Sequence, residues 1–114
     1  MSARPRGSPP GHRQQAQVLA ALGEETRLSL VARLAAGERQ SITELARGSR
    51  LTRQAISKHL AILERAGIVR SGRAGREHLY EFRPAPITEL RRYLDEVSGQ
   101  WDGALSRLKA FVEN

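Results

Sequence analysis

Apolar residues recur every three or four positions through most of this chain, and in one stretch they alternate instead. From Gln14, the residues Val18, Leu19 and Leu22 make a short helical stripe that stops at Gly23. A second helix carries Leu28, Val31, Leu34 and Ala35, with Glu24 and Glu25 in its first turn and Gly37 at its end. Ser41-Ile42-Thr43-Glu44 predicts a capping box, in which hydroxyl and carboxylate each satisfy an orphan amide at the start of a short helix. That helix places Ile42, Leu45 and Ala46 inward and ends near Gly48. Thr52 then caps a fourth helix that runs to about Ala66, before Gly67. Two helices joined by a short glycine-containing turn predict a helix-turn-helix.

After Gly67 the period changes. Ile68-Val69-Arg70 reads as a short strand, Ser71 to Arg76 as a turn with two glycines, and Glu77 to Arg83 as a second, alternating strand. His78, Tyr80 and Phe82 share one face of it, and Leu79 shares the other with two glutamates. A hairpin in this position is a wing. Pro84 and Pro86 close it, and a last helix starts near Ile87. Its apolar positions are Ile87, Leu90, Leu94, Val97, Trp101, Ala104, Leu108 and Phe111, at alternating spacings of three and four. A helix from 87 to 112 would be about 38 Å long, so part of this seam should overhang the domain, with Gly99 and Gly103 as weak points. Val18, Leu19 and Leu22 together with Leu94, Val97, Trp101, Ala104, Leu108 and Phe111 are the expected dimerisation surface. The expected fold is mainly α with a small β-hairpin: a winged helix-turn-helix of five helices, a two-stranded wing and a long C-terminal dimerisation helix.

At 114 residues the chain has room for one domain. Residues 1–13 hold three arginines, no acid and three of the five prolines, and are expected to be a disordered basic tail. Residues 14–114 form the domain. The absence of cysteine removes disulfides and thiolate metal sites. With no long apolar run and a polar Met1–Gly11, the expectation is a cytoplasmic protein that neither spans a membrane nor carries a secretory signal. The net charge of +7 is uneven: residues 50–83 carry +5 and residues 14–49 carry none. A neutral body with one basic segment suits a polyanionic partner.

That segment contains the chemistry. On a wheel of about 100° per residue, one arc of the fourth helix holds Ala55, Ile56, His59, Leu60, Ile62, Leu63 and Ala66. The opposite arc begins with Arg53, Gln54, Ser57, Lys58 and the small Ala61, and no acid occurs from Leu51 through Leu63. Gln pairs with an adenine edge, Arg and Lys with guanine or phosphate, and Ser with either, while a small residue allows close approach to a groove floor. Arg70, Arg73 and Arg76 stand around the hairpin tip, placed for a phosphate ridge or a minor groove. These eight residues are the expected contacts to double-stranded DNA, and the protein is expected to associate with the nucleoid when bound to it. Thr52 and His59 are further candidates for the backbone, although His59 lies on the apolar arc, where a hydrogen bond within the fold is its other role.

Leu22-Gly23-Glu24-Glu25-Thr26-Arg27-Leu28, Ala55-Ile56-Ser57-Lys58-His59-Leu60, Leu63-Glu64-Arg65-Ala66-Gly67-Ile68-Val69 and Gly75-Arg76 with Tyr80 together resemble the ArsR/SmtB family of small winged helix-turn-helix regulators. The resemblance implies a homodimer, built from first and last helices, that binds a two-fold symmetric operator and represses transcription. Founding members of that family carry metal-binding cysteines where this chain has Ser41 and Thr43, and others carry histidine on the last helix, where this chain has none. No metal and no cofactor are therefore expected. The alternatives are a winged-helix module that binds protein without DNA, and a ligand- or metal-responsive sensor of the same family. An enzyme is not expected, since there is no cysteine nucleophile, no supported Ser-His-Asp grouping and no phosphate loop after a strand.

Overall fold

The computed structural model describes residues 11–113, the side chains of 111 and 112 excepted. The elements run α1 (His12–Leu22), α2 (Glu25–Ala36), β1 (Gln40–Ser41), α3 (Ile42–Ala46), α4 (Arg53–Arg65), β2 (Val69–Ala74), β3 (Glu77–Phe82) and α5 (Ala85–Glu113). Helix α1 begins at His12, two residues before the expected start at Gln14, so His12 and Arg13, expected in the tail, are helical. Residues 1–10 of the expected 1–13 tail lie outside the described residues.

Each turn has a local cause. Glu24 caps α2 by accepting from the amides of Thr26 and Arg27 at 3.0 and 2.9 Å. Those two donors hold its carboxyl below the ordinary glutamate value. The capping box on α3 is formed: Glu44 N donates to Ser41 Oγ at 3.2 Å, and Ser41 N donates to Glu44 Oε1 at 3.0 Å. At the far end of α4, Gly67 takes φ +78°, and the amides of Gly67 and Ile68 return to the carbonyls of Glu64 and Leu63. This turn drives Ile68 into the core and starts the sheet.

The core gathers one side of every helix onto the inner face of the sheet. Leu45, Ile56, Leu60, Leu63 and Ile68 are fully buried, with Val18, Leu34, Val69 and Leu90 close to it, and Tyr80 and Phe82 pack against them. Two readings of the pattern need correction. In α2, Leu28 is 55% exposed and Leu30, four residues before Leu34, is 4% exposed and takes its place in the core. Val18, expected at a dimer surface, is 1% exposed within the single chain, and its neighbour Leu22 is half-buried against the same core.

The sheet has three antiparallel strands in the order β1-β3-β2. The third strand is β1, whose Gln40 and Ser41 pair with Tyr80 and Leu79. The wing is also longer than the sequence pattern implied. Residues 71–74, expected in the turn, are paired strand, with Ala74 opposite Glu77 and Gly72 opposite Leu79. Only Gly75 and Arg76 remain at the tip. Gly75 has φ +66° while Arg76 does not enter the positive region, as in a type II′ turn.

Helix α5 has 29 residues, about 43 Å. Its first turns pack through Ile87 and Leu90. Beyond them Val97 and Ala104 are half-buried, while Leu94, Trp101, Leu105 and Leu108 are exposed. The side chain of Phe111 lies outside the described residues. No described helix is long and apolar enough to cross a membrane.

Candidate nucleic-acid interface

Helix α4 is positioned from both ends and from beneath. Thr52 Oγ1 accepts from Ala55 N at 3.1 Å, which fixes where the helix begins. Ile56, Leu60 and Leu63, each fully buried, fix which way it is turned. Three buried positions at helical spacing force the positions between them outward. Arg53, Gln54, Lys58 and Ala61 are accordingly exposed, and Ser57 is half-buried at the margin. Among the described residues none of these side chains has a protein hydrogen-bond partner, whereas Thr52 spends one lone pair on the cap. Ile62, expected on the apolar arc, is 37% exposed at its edge.

His59 is turned away from that face. Its Nδ1 lies 3.3 Å from Arg27 Nη1 and 3.7 Å from Glu24 Oε2, under the corner between α1 and α2.

The arginines divide by whether the protein already uses their charge. Arg33 is committed to the carbonyl of Leu45, donating at 2.7 Å, and to that of Glu44. Arg70 is committed too: it stands directly opposite Glu81 in the sheet and forms an ion pair with it, Nε donating to Oε1 at 2.7 Å. Of the three wing arginines, it is the one whose charge is already met. Arg73 and Arg76 are exposed, with no such partner among the described residues. The wing is tied to α4 at its base, where Ser71 Oγ donates to Glu64 Oε2 at 2.8 Å. Burial, with Glu64 nearby, raises the Tyr80 hydroxyl above its ordinary value.

Between the wing tip, α3 and the start of α4 lies an open cleft of about 460 Å³, into which Arg47, Arg53 and Arg76 all face. Glu44 and Glu77 also line it, but Glu44 is engaged in the capping box. Arg47 was not among the expected site residues. Its signal was present in the sequence: Arg47, Arg50, Arg53 and Lys58 fall in one run from Leu45 to Leu63 without an acid. Among the described residues no three His, Asp or Glu side chains converge on a common point where a metal ion would sit.

A helix-turn-helix read by an acid-free helix face and flanked by a basic hairpin defines a winged DNA-binding class. Comparison with known proteins narrows it. Residues 22–72 match the family model described as a helix-turn-helix domain. The HTH-type transcriptional regulator Rv2034 of Mycobacterium tuberculosis is 34% identical over 94 residues, covering 82% of this chain and 84% of that protein. An ArsR-like transcriptional regulator from Rhodococcus sp. RHA1 superposes with a TM-score of 0.81 at 34% identity, covering 90% of this chain and 96% of the other. The fold alone is shared with a homodimeric winged helix-turn-helix DNA-binding domain from Mycobacterium bovis, at a TM-score of 0.65 and 22% identity over 88% and 92% of the two chains. The chain belongs to the ArsR-like family of helix-turn-helix transcriptional regulators.

Proposed function

We propose that this protein is a sequence-specific repressor that binds a palindromic operator in double-stranded DNA as a homodimer, and that it works in the cytoplasm without a catalytic role. The observation that carries the reading is the exposed face of α4 from Arg53 to Ala61, which is free of acid, has no hydrogen-bond or ion-pair partner among the described residues, and is backed by a fully buried apolar stripe. Gln54 and Ser57, with Lys58, read base edges in the major groove, and Ala61 admits the groove floor. Arg73 and Arg76 hold the flanking backbone. Arg47, Arg53 and Arg76 together seat a phosphate in the cleft beside the helix. Arg70 contributes less than its neighbours because it must first leave Glu81. Thr52 meets the backbone through its remaining hydroxyl proton.

A second copy covers the exposed seam of α5 together with Leu19 of α1, the outcome most consistent with four large apolar side chains left bare on one helix. The two recognition helices then enter successive major grooves about one helical turn apart. Three or four phosphates neutralised per subunit give about 6–8 per dimer, so log K should fall against log salt with a slope of about −5 to −7. Titration of a labelled duplex at several salt concentrations measures it, and a slope shallower than about −2 removes the arginines from the interface.

A further inference from the structure

Among the described residues, Arg27 is the one arginine that joins three helices. Its Nε donates to the carbonyl of Ala21 at 2.7 Å and its Nη2 to that of Ala20 at 3.4 Å, both in the last turn of α1, where the Ala20 carbonyl also accepts from the amide of Gly23. Its own amide donates to Glu24, the cap of α2. Its Nη1 meets Nδ1 of His59, on α4, at 3.3 Å. Arginine has donors only, so Nδ1 is the acceptor and the imidazole proton sits on Nε2. Glu24 Oε2, 3.7 Å from the same nitrogen, closes a triangle of one cation, one anion and one imidazole.

The space beside this triangle gives it weight. Between α1 and α4 there is a hollow of about 230 Å³ lined by Gln17, Ala20, Ala21, Arg27, Ile62 and Arg65. Close packing therefore does not set the spacing of α1 and α4 on this side, and the guanidinium bridges the gap instead. His59 follows Lys58 directly and lies two residues after Ser57. The buried Ile56, Leu60 and Leu63 set which side of α4 faces the core, and fixing the His59 ring limits the small rotation about the helix axis that remains. At a side-chain radius of about 6 Å, a rotation of about 10° moves a tip by about 1 Å, which is enough to take a base contact out of hydrogen-bonding range.

We infer that Arg27 is a positioning residue for DNA reading: within the orientation set by the buried stripe, it fine-tunes the azimuth of the recognition helix through His59 and ties it to the end of α1, without touching DNA. This rests on the DNA-binding reading above, and deepens it. Because α1 also presents Leu19 at its surface, movement of α1 within a dimer is transmitted to the base-reading face along the same contacts.

The test compares affinities of the full chain for a selected operator and for a scrambled duplex, by fluorescence anisotropy, alongside salt slopes and thermal midpoints. Arg27→Gln is expected to lower the operator-to-scrambled affinity ratio about tenfold, the worth of one base contact, with scrambled affinity and salt slope unchanged. His59→Leu, which cannot accept from Arg27, lowers the ratio likewise, and adding it to Arg27→Gln brings no further loss. His59→Gln supplies an acceptor and restores the ratio. If Arg27→Gln does not fold, Arg27→Lys, which reaches the α1 carbonyls and not His59 as well, carries the same expectation. A midpoint that drops while the ratio stays within about twofold in the Arg27 and His59→Leu variants would overturn the inference and leave a purely structural contact. A scrambled affinity that falls equally, with a slope shallower by about one, would overturn it by making Arg27 a phosphate ligand. A wild-type chain that prefers no duplex would instead overturn the DNA reading itself, and the inference with it.

Discussion

Replacing Trp101 with alanine probes the bare seam of α5. Trp101 is 64% exposed in the single chain and has no place in its core, so its loss leaves the fold intact. A tryptophan offers up to about 250 Å² for burial, of which about 160 Å² remains here for a partner to cover. At about 25 cal/mol/Å², covering half of that area contributes about 2 kcal/mol in each chain. A symmetric dimer uses the site twice, so the variant weakens association by about 4 kcal/mol, or about a thousandfold in Kd. Sedimentation equilibrium over a range of concentrations measures the change, and far-ultraviolet circular dichroism checks that helix content is kept. A Kd within about threefold of wild type, or a wild-type chain that stays monomeric at tens of micromolar, would refute the assignment of this seam to a second copy.

Other consequences follow from the recognition surface and the caps. Gln54→Ala should relax base preference with little loss on scrambled DNA, and Arg73→Ala should weaken all sequences alike; competition binding would reveal the effects exchanged if the two surfaces have been assigned the wrong way round. Thr52→Ala removes the α4 cap and should cost about 1 kcal/mol, lowering the thermal midpoint by about 4–8 °C; an unchanged midpoint would mean that buried Ile56 and Leu60 alone hold the first turn. Glu24 and Glu44 titrate below their ordinary value of 4.5 in the fold because backbone amides donate to them. Their stabilisation is therefore complete above that value and is lost as pH falls through the depressed folded range. A Glu24→Gln, Glu44→Gln double variant should show a flatter acid limb in thermal midpoint against pH, and an identical limb would remove the two caps as its cause.

What could be read in advance depended on whether the cause was local. Thr52, Ser41 with Glu44, and the periodic Ile56, Leu60 and Leu63 act within a few residues, so α3 and α4 were visible from spacing alone. Strand β1 has no such local cause. Gln40 and Ser41 become a strand because Tyr80 and Leu79 lie alongside, about forty residues away in sequence. Gly72 and Gly75 looked alike in the sequence, and only pairing to Leu79 distinguishes a strand glycine from the one at the turn. Arg70 likewise read as one of three equivalent cations until the register set it opposite Glu81. Leu28 and Leu30 both fit an apolar helix face, and the direction from which α4 and β3 approach decides between them. The reading of α4 needed no distant partner, which is why Arg53, Gln54, Lys58 and Ala61 are exposed as the wheel put them, and only residues at the margins of the two arcs, Ser57 and Ile62, depart from it.

Selection of bound duplexes from a random pool puts the exposed face of α4 to the most direct trial. The wild-type dimer should enrich an inverted repeat whose half-sites lie about 10 base pairs apart, centre to centre, and Gln54→Ala should blur the sequence within each half-site while keeping that spacing. A pool that remains random after repeated rounds, or a repeat that Gln54→Ala and Ser57→Ala leave unchanged, would contradict the assignment of this face to base reading.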